Sequence, residues 1–406
     1  MAVRALARVN LAAIERNVAR LRGGLADGAA LCAVVKGAGY GHGALPAARA
    51  ALAGGARMLA VATAGEAAEL RDGGIEAPVL VMGAVSDEEL PVAVAARGEL
   101  VAWTSQFVEQ LRRTAVGAGV GASLGAVAGA AAAGGSSASA SPGAGVAGVR
   151  VHVKLDTGMG RLGTRDVDAA IGVAEAVAAG RPALELAGAM THFASADEDP
   201  SFTALQLARF EPFVSAMRER WPGLVAHAAN SAATLREPAS HFDLARCGIA
   251  IYGCDPMNDD PSKHRLEPAL ELTSYVAAVK LARPGDSAGY GRRFVASEDT
   301  WIATVPIGYA DGVRRALTNN CDVLIEGRRY PLVGAVSMDN ITVALGPVAG
   351  AVGVGDAVTI IGVDGGERQT AEEVARRIGT ISYEILCGLT PRVSRVYHRD
   401  GAPVER

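Results

Sequence analysis

A lysine followed by a glycine-rich turn that carries a tyrosine, Lys36-Gly-Ala-Gly-Tyr40-Gly-His-Gly43, closes the apolar run at residues 31–35. A strand buried on both faces has no reason of its own to end in a cation. Desolvation at such a place can strip the lysine of its proton and leave an amine nucleophile or base. The glycines let backbone N–H groups approach an anion. An amine beside a phosphate cradle is what pyridoxal phosphate requires of a protein. The other reading is a lysine that reaches water from a strand end.

Residues 149–156 carry a second concentration of chemistry. Side chains alternate along a strand, so Val149, Val151, Val153 and Leu155 share one face. Arg150, His152, Lys154 and Asp156 share the other. Four ionisable groups on one buried face need partners or a ligand, because an unpaired buried charge costs several kcal/mol.

The elements that position these groups follow from periodicity. Strand-like runs lie at 31–36, 59–63, 78–82, 100–103, 149–156, 186–193, 225–229 and 242–246, with helix-like stretches such as 64–72 and 166–179 between them. Asn10 is placed to cap a helix over residues 11–25. Eight βα repeats point to an α/β fold whose N-terminal part is a (β/α)8 TIM barrel. A doubly wound sheet is the runner-up, and no GxGxxG fingerprint supports it. In a barrel the second polar face points inward. Lys36, His192, His227, Asn230, Ser231 and Arg246 then fall at strand C-termini, with Arg161, Gly248 and Ile249 in adjoining loops. That rim is where barrel enzymes build their sites.

From about residue 270 the texture changes to short β-rich runs at 272–281, 301–306, 322–325, 341–345 and 357–361, with one helix near 370–378. The reading is therefore a barrel over 1–266 and a mainly β C-terminal domain over 267–406. Residues 117–148 contain only Gly, Ala, Val, Ser, Leu and Pro, and read as a low-complexity insertion without catalytic role. The formal charge of −4, with no basic run, argues against nucleic acid as a partner. No run is long and apolar enough for a membrane span or signal peptide. The five scattered cysteines fit reduced thiols in a cytoplasmic protein, and no metal site is expected.

The motifs taken together resemble the alanine racemase family. They are AVVK…YGHG (33–43), KLDTGMGRLG (154–163), THFA (191–194), ANS (229–231), RCGIAIYG (246–253), GYGRRF (289–294), PIGYADG (306–312), SMDN (337–340) and ISYEILC (381–387). They span nearly the whole chain in order. As a set they are far more specific than any one of them.

The resemblance implies a pyridoxal phosphate-dependent isomerase that interconverts L- and D-alanine by a two-base mechanism and supplies D-alanine for peptidoglycan. Lys36 would bind the cofactor covalently. Tyr290 would be the second base, and it and Met338 would come from the partner chain of a homodimer. Tyr40, Ser231, Gly248, Ile249 and Tyr383 would hold the phosphate, and Arg246 the pyridine nitrogen. Arg161 would meet the cofactor's phenolic oxygen and the substrate carboxylate, which Met338 would also bind. His192 would bond Arg246 and Tyr290, and Tyr309 would shape the entrance. Lys154 would be a carbamate orienting Arg161; the alternative is a plain lysine paired with Asp156. Decarboxylases of related architecture typically place a glutamate at the pyridine nitrogen, and Arg246 argues against that reading. Single-domain cofactor-binding regulators lack the β domain and hence Tyr290. The sequence departs from the family pattern at Gly37-Ala38-Gly39, usually Ala-Asn-Ala or Ala-Asp-Ala. Glycines there should loosen the loop. Ser337 stands where many members have cysteine.

Overall fold

The computed structural model describes residues 4–121, 148–348 and 350–404, so most of the insertion expected at 117–148 lies outside the described residues. The chain divides into two compact units. One comprises Met1–Arg20, Gly37–Gly55 and Gly248–Arg406; the other comprises Leu21–Lys36 and Ala56–Cys247.

Strand β1 (Leu6–Asn10) belongs to the first of these. The second unit contains β2 (Ala30–Val34), β3 (Met58–Val61), β4 (Val79–Val81), β5 (Gly98–Ala102), β6 (Val149–Lys154), β7 (Leu184–Met190), β8 (Val225–His227) and β9 (Leu244–Cys247). They are parallel, in the order β8-β7-β6-β5-β4-β3-β2-β9. Hydrogen bonds from Asp243 N to Ala226 O (3.1 Å) and from Arg246 N to Ala229 O (3.0 Å) join the two ends of that sheet. This is the TIM-like barrel expected, each strand falling on one of the eight runs read from the sequence. Leu31, Leu59, Leu80 and Leu100 are fully buried in it, each contributing about 2 kcal/mol.

Capping side chains fix where several barrel helices begin. Thr63 and Glu66 form a reciprocal capping box at Ala64–Asp72. Asp166, Asp199 and Asn230 accept backbone N–H groups at the starts of Val167–Ala179, Pro200–Arg220 and Ser231–Arg236. Each of these starts follows a strand, so the capping residues fix where the loops of the rim end.

The other unit is built on a large mixed sheet. It includes β10 (Leu270–Tyr275), β11 (Ala278–Ala282), β14 (Thr300–Val305), β15 (Asp322–Ile325), β16 (Arg328–Val333), β17 (Ile341–Gly346), β18 (Ala357–Asp364), β19 (Glu367–Gln369) and β20 (Ser394–Arg399). The short strands β12 (Ser287–Ala288) and β13 (Phe294–Val295) pair separately as a hairpin. The run expected at 272–281 is split between β10 and β11. Strand β1 lies within the large sheet, antiparallel to β10 and parallel to β20. It was not among the expected strands. Its partners lie far along the sequence, and five residues with only Ala7 and Val9 buried carry a weak local signal. Asn10 does cap the next helix, accepting the Ala12 N–H at 3.2 Å.

Candidate active site

Lys154, His192, His227 and Arg246 lie at or just beyond the C-terminal ends of strands of the barrel unit. Arg246, on β9, is 2% exposed. Its Nη1 donates to His227 Nδ1 at 2.9 Å. Its Nη2 lies 2.9 Å from the carbonyls of Thr191 and Ala228 and 3.1 Å from His192 Nδ1. Its Nε is buried and has no hydrogen-bond partner among the described residues. Burial lowers the guanidinium pKa to about 10, so it is still charged near neutrality. Burial, then the charge of Arg246, holds His192 and His227 well below the usual imidazole range. A neutral His192 that accepts at Nδ1 carries its proton on Nε2. The bond between His192 and Arg246 is the one the resemblance implied.

Lys154 ends β6 and is 3% exposed. Burial, Arg246 and Arg161 together outweigh Asp156 and lower its pKa to about 8. The pairing of Lys154 with Asp156 is not formed. Asp156 instead accepts the N–H groups of Gly158 (3.1 Å) and Gly160 (3.0 Å) and the Arg165 Nε at 3.1 Å. The loop that carries the exposed Arg161 therefore hangs on Asp156. Ser231 is buried at the first turn of Ser231–Arg236, and Lys36 lies two residues beyond β2.

His152 and Arg150, on the polar face of β6, are paired through a residue the sequence reading missed. Glu99, on β5, accepts from His152 Nε2 at 2.8 Å and pairs with Arg150 Nε at 3.1 Å. A carboxylate inside the run Gly-Glu-Leu-Val-Ala begs for a partner as Lys36 does, and that signal was available. Thr191, whose carbonyl receives Arg246, carried none, because the contact is made by backbone.

In the other unit, Tyr40 is buried, stacks on Tyr252 with ring centroids 5.1 Å apart, and lies 5.9 Å from the Tyr383 ring. A Cβ at position 248 would collide with the Tyr40 hydroxyl. The lack of a Cβ at Gly248 thus lets the Tyr40 hydroxyl sit against the backbone at the start of the turn Ile249–Tyr252. The segment Gly37-Ala38-Gly39-Tyr40 is a left-handed turn, with φ of 61°, 52°, 63° and 51°. It is closed by bonds from Gly41 N to Gly37 O (3.0 Å) and Gly43 N to Ala38 O (2.7 Å). The glycines expected to loosen this loop serve a conformation that other residues resist.

Three large side chains of this unit face outward: Tyr290 is 75% exposed, Met338 52% and Tyr309 42%. Tyr290 sits in a tight turn between β12 and β13. Bonds from Tyr309 N to Ser337 O (3.0 Å) and Ala310 N to Met338 O (3.1 Å) fasten the Tyr309 and Met338 loops together. Ser337 completes the second loop, accepting Asn340 N at its Oγ (3.0 Å).

Residues 9–256 match the N-terminal domain of alanine racemase, and residues 269–397 match its C-terminal domain. The chain belongs to the alanine racemase family. Within that family it is 37% identical to alanine racemase 1 of Bacillus subtilis, over 98% of this chain and 94% of the relative. The racemase of Symbiobacterium thermophilum is 38% identical, over 96% of each chain. Among solved structures, the alanine racemase of a D-cycloserine-producing Streptomyces lavendulae superposes with a TM-score of 0.87 at 34% identity, over 98% of both chains. Among the described residues of this family member, no helix is long and apolar enough to cross a membrane.

Proposed function

We propose that the protein interconverts L- and D-alanine with pyridoxal phosphate, using Lys36 and Tyr290 as proton-carrying groups on opposite faces of the substrate carbon. The observation that carries this reading is Arg246. Its two Nη atoms are engaged, and its buried Nε–H has no acceptor among the described residues. A pyridine nitrogen bearing a lone pair is such an acceptor, so the residues fit the cofactor. The hydroxyl of Tyr40 beside the Cβ-free Gly248 fits a phosphate in the same way.

The cofactor, when bound, draws electrons from the α-carbon of an amino acid and makes its hydrogen acidic. The protein's residues decide the fate of that hydrogen. Arg246 remains protonated and can give the ring nitrogen only a hydrogen bond, which moderates that electron demand. Proton exchange is then favoured over side reactions such as transamination. Lys36 holds the cofactor and supplies an amine on one face. Tyr290 supplies a phenol on the other, so a proton leaves from one side and returns on the opposite one. Tyr40, Ser231, Gly248, Ile249 and Tyr383 hold the phosphate. Arg161 binds the substrate carboxylate with the Met338 backbone N–H. Lys154, as a carbamate, turns a buried cation into an anion that orients Arg161. The exposure of Tyr290 and Met338 supports their delivery by a second copy of the chain in a homodimer, where one residue from each chain completes each site. The product would serve cell-wall synthesis.

The test is incubation of the purified protein and pyridoxal phosphate with L-alanine, L-serine and L-lysine in D2O. We expect deuterium at the α-carbon and loss of optical purity for alanine. Absence of α-exchange with alanine sinks the reading. Faster exchange with serine or lysine keeps the mechanism and changes the substrate.

A further inference from the structure

Arg246 is the end of a hydrogen-bonded line that crosses the barrel unit. Arg246 Nη1 is 2.9 Å from His227 Nδ1, His227 Nε2 is 2.9 Å from His152 Nδ1, and His152 Nε2 is 2.8 Å from a Glu99 oxygen. All four residues are buried. Beyond them, Arg150 pairs with Glu99 and with Glu185 and is itself partly exposed.

The line has only one consistent placement of protons while Arg246 is charged. A guanidinium has donors and no acceptor, so His227 Nδ1 must present its lone pair. Its proton is then on Nε2 and is given to His152 Nδ1. His152 in turn carries its proton on Nε2 and gives it to Glu99, which must accept as a carboxylate. Burial works against the ionisation of Glu99, but His152 and Arg150 outweigh it and leave the carboxyl below its usual range. Three donors thus point the same way, from the arginine to the anion.

We propose that Glu99 is a positioning residue for Arg246, acting through His152 and His227 by fixing both imidazoles in the Nε2–H tautomer. The inference rests on the reading that Arg246 meets the cofactor ring. A His227 free to change tautomer would turn an N–H toward Arg246 Nη1. Two donors would then face each other, and the guanidinium would have to rotate away from the geometry that leaves Nε available. The anion at the far end forbids this. Simple packing of polar side chains would require no particular direction in the line.

The test uses the full chain with pyridoxal phosphate and 15N-labelled histidine, with tautomers assigned from the imidazole nitrogen resonances at pH 8. The wild type should show His152 and His227 neutral and protonated at Nε2. Glu99→Leu removes the acceptor and should give mixed tautomers at both rings, with kcat for alanine down about tenfold and little change in KM. Glu99→Gln keeps an acceptor for His152 while Arg150 retains Glu185, and should restore both the tautomers and most of the rate. The proposal is overturned if the wild-type His152 is protonated at Nδ1 or doubly protonated, a result that needs no variant to fold. It is equally overturned if Glu99→Leu leaves both rings unchanged. A wild type with the expected tautomers but no alanine exchange would sink the proposed function and leave the line of bonds standing.

Discussion

The surroundings of Arg246 and those of Tyr290 are built on opposite plans. The two Nη atoms of Arg246 find partners inside the same unit, while Nε has none among the described residues. Around Tyr290, three large side chains stand in solvent on loops that backbone bonds hold firm. The first arrangement is complete but for one acceptor, which is what a preorganised ligand site leaves open. The second holds its side chains in place without covering them, which is what a surface awaiting another surface does. On the proposed reading, the difference separates what one chain supplies from what a second copy would supply.

The strongest way to break this contrast is to remove one residue of each kind. Lys36→Ala should reduce alanine racemisation by more than about a thousandfold and abolish covalent retention of the cofactor. Tyr290→Phe should suppress α-deuterium exchange from L-alanine by about a hundredfold or more, with a smaller effect from D-alanine. Equal losses for both enantiomers would count against the assignment of Tyr290 to one face. Mixing the two inactive proteins under conditions that exchange subunits should then recover up to about a quarter of wild-type activity. In a two-fold dimer a hybrid has one intact site out of two. No recovery, with hybrids demonstrated by mass, would place both residues in the same chain's site.

Lys154 tests the barrel side more finely. Its pKa of about 8 lies below the ordinary lysine value because burial and two arginines disfavour the cation. The neutral amine, the form whose lone pair attacks CO2 and then releases a proton, is therefore the minor species below about pH 8 and the major one above it. Activity lost on depletion of CO2 should return faster at pH 9 than at pH 7 when both are returned to the same concentration of dissolved CO2. Lys154→Ala should cost about tenfold in turnover, partly restored by added acetate, since a small anion can take the carbamate's place beside Arg161. A wild type insensitive to CO2 depletion, with a variant that acetate does not rescue, would make the lysine a plain core residue.

Local pattern carried the barrel well. Continuous apolar runs, capping residues and turn glycines are all properties of a few neighbouring residues, and the eight strands and the rim residues Lys36, His192, Ser231 and Arg246 were legible from them. Strand β1 was not, because its pairing with β10 and β20 joins residues hundreds of positions apart. Glu99 escaped because the strand was read from residue 100 onward, although its inward side chain meets His152 on the neighbouring strand. A plain Lys154 paired with Asp156 was the alternative to a carbamate. It failed because backbone N–H groups of the following loop claimed the carboxylate.

The smallest expected effect concerns the turn after Lys36, where composition suggested looseness and geometry shows a left-handed turn. Gly37 and Gly39 meet its positive φ without penalty, while Ala38 adopts φ 52° with a Cβ that opposes it. Ala38 is exposed, so a larger polar side chain has room. Asparagine tolerates this region better than alanine, and Ala38→Asn should raise stability by about 0.5 kcal/mol, read as a higher urea midpoint at unchanged slope. Gly37→Ala should lower it by about 1 kcal/mol, because it adds a Cβ at the same kind of position. The opposite signs matter more than the sizes. If the segment were merely a flexible loop, alanine at 37 would stabilise by restricting the unfolded chain, and asparagine at 38 would do nothing. Two substitutions on one turn therefore tell whether the glycines beside the lysine are there for freedom or for a single shape.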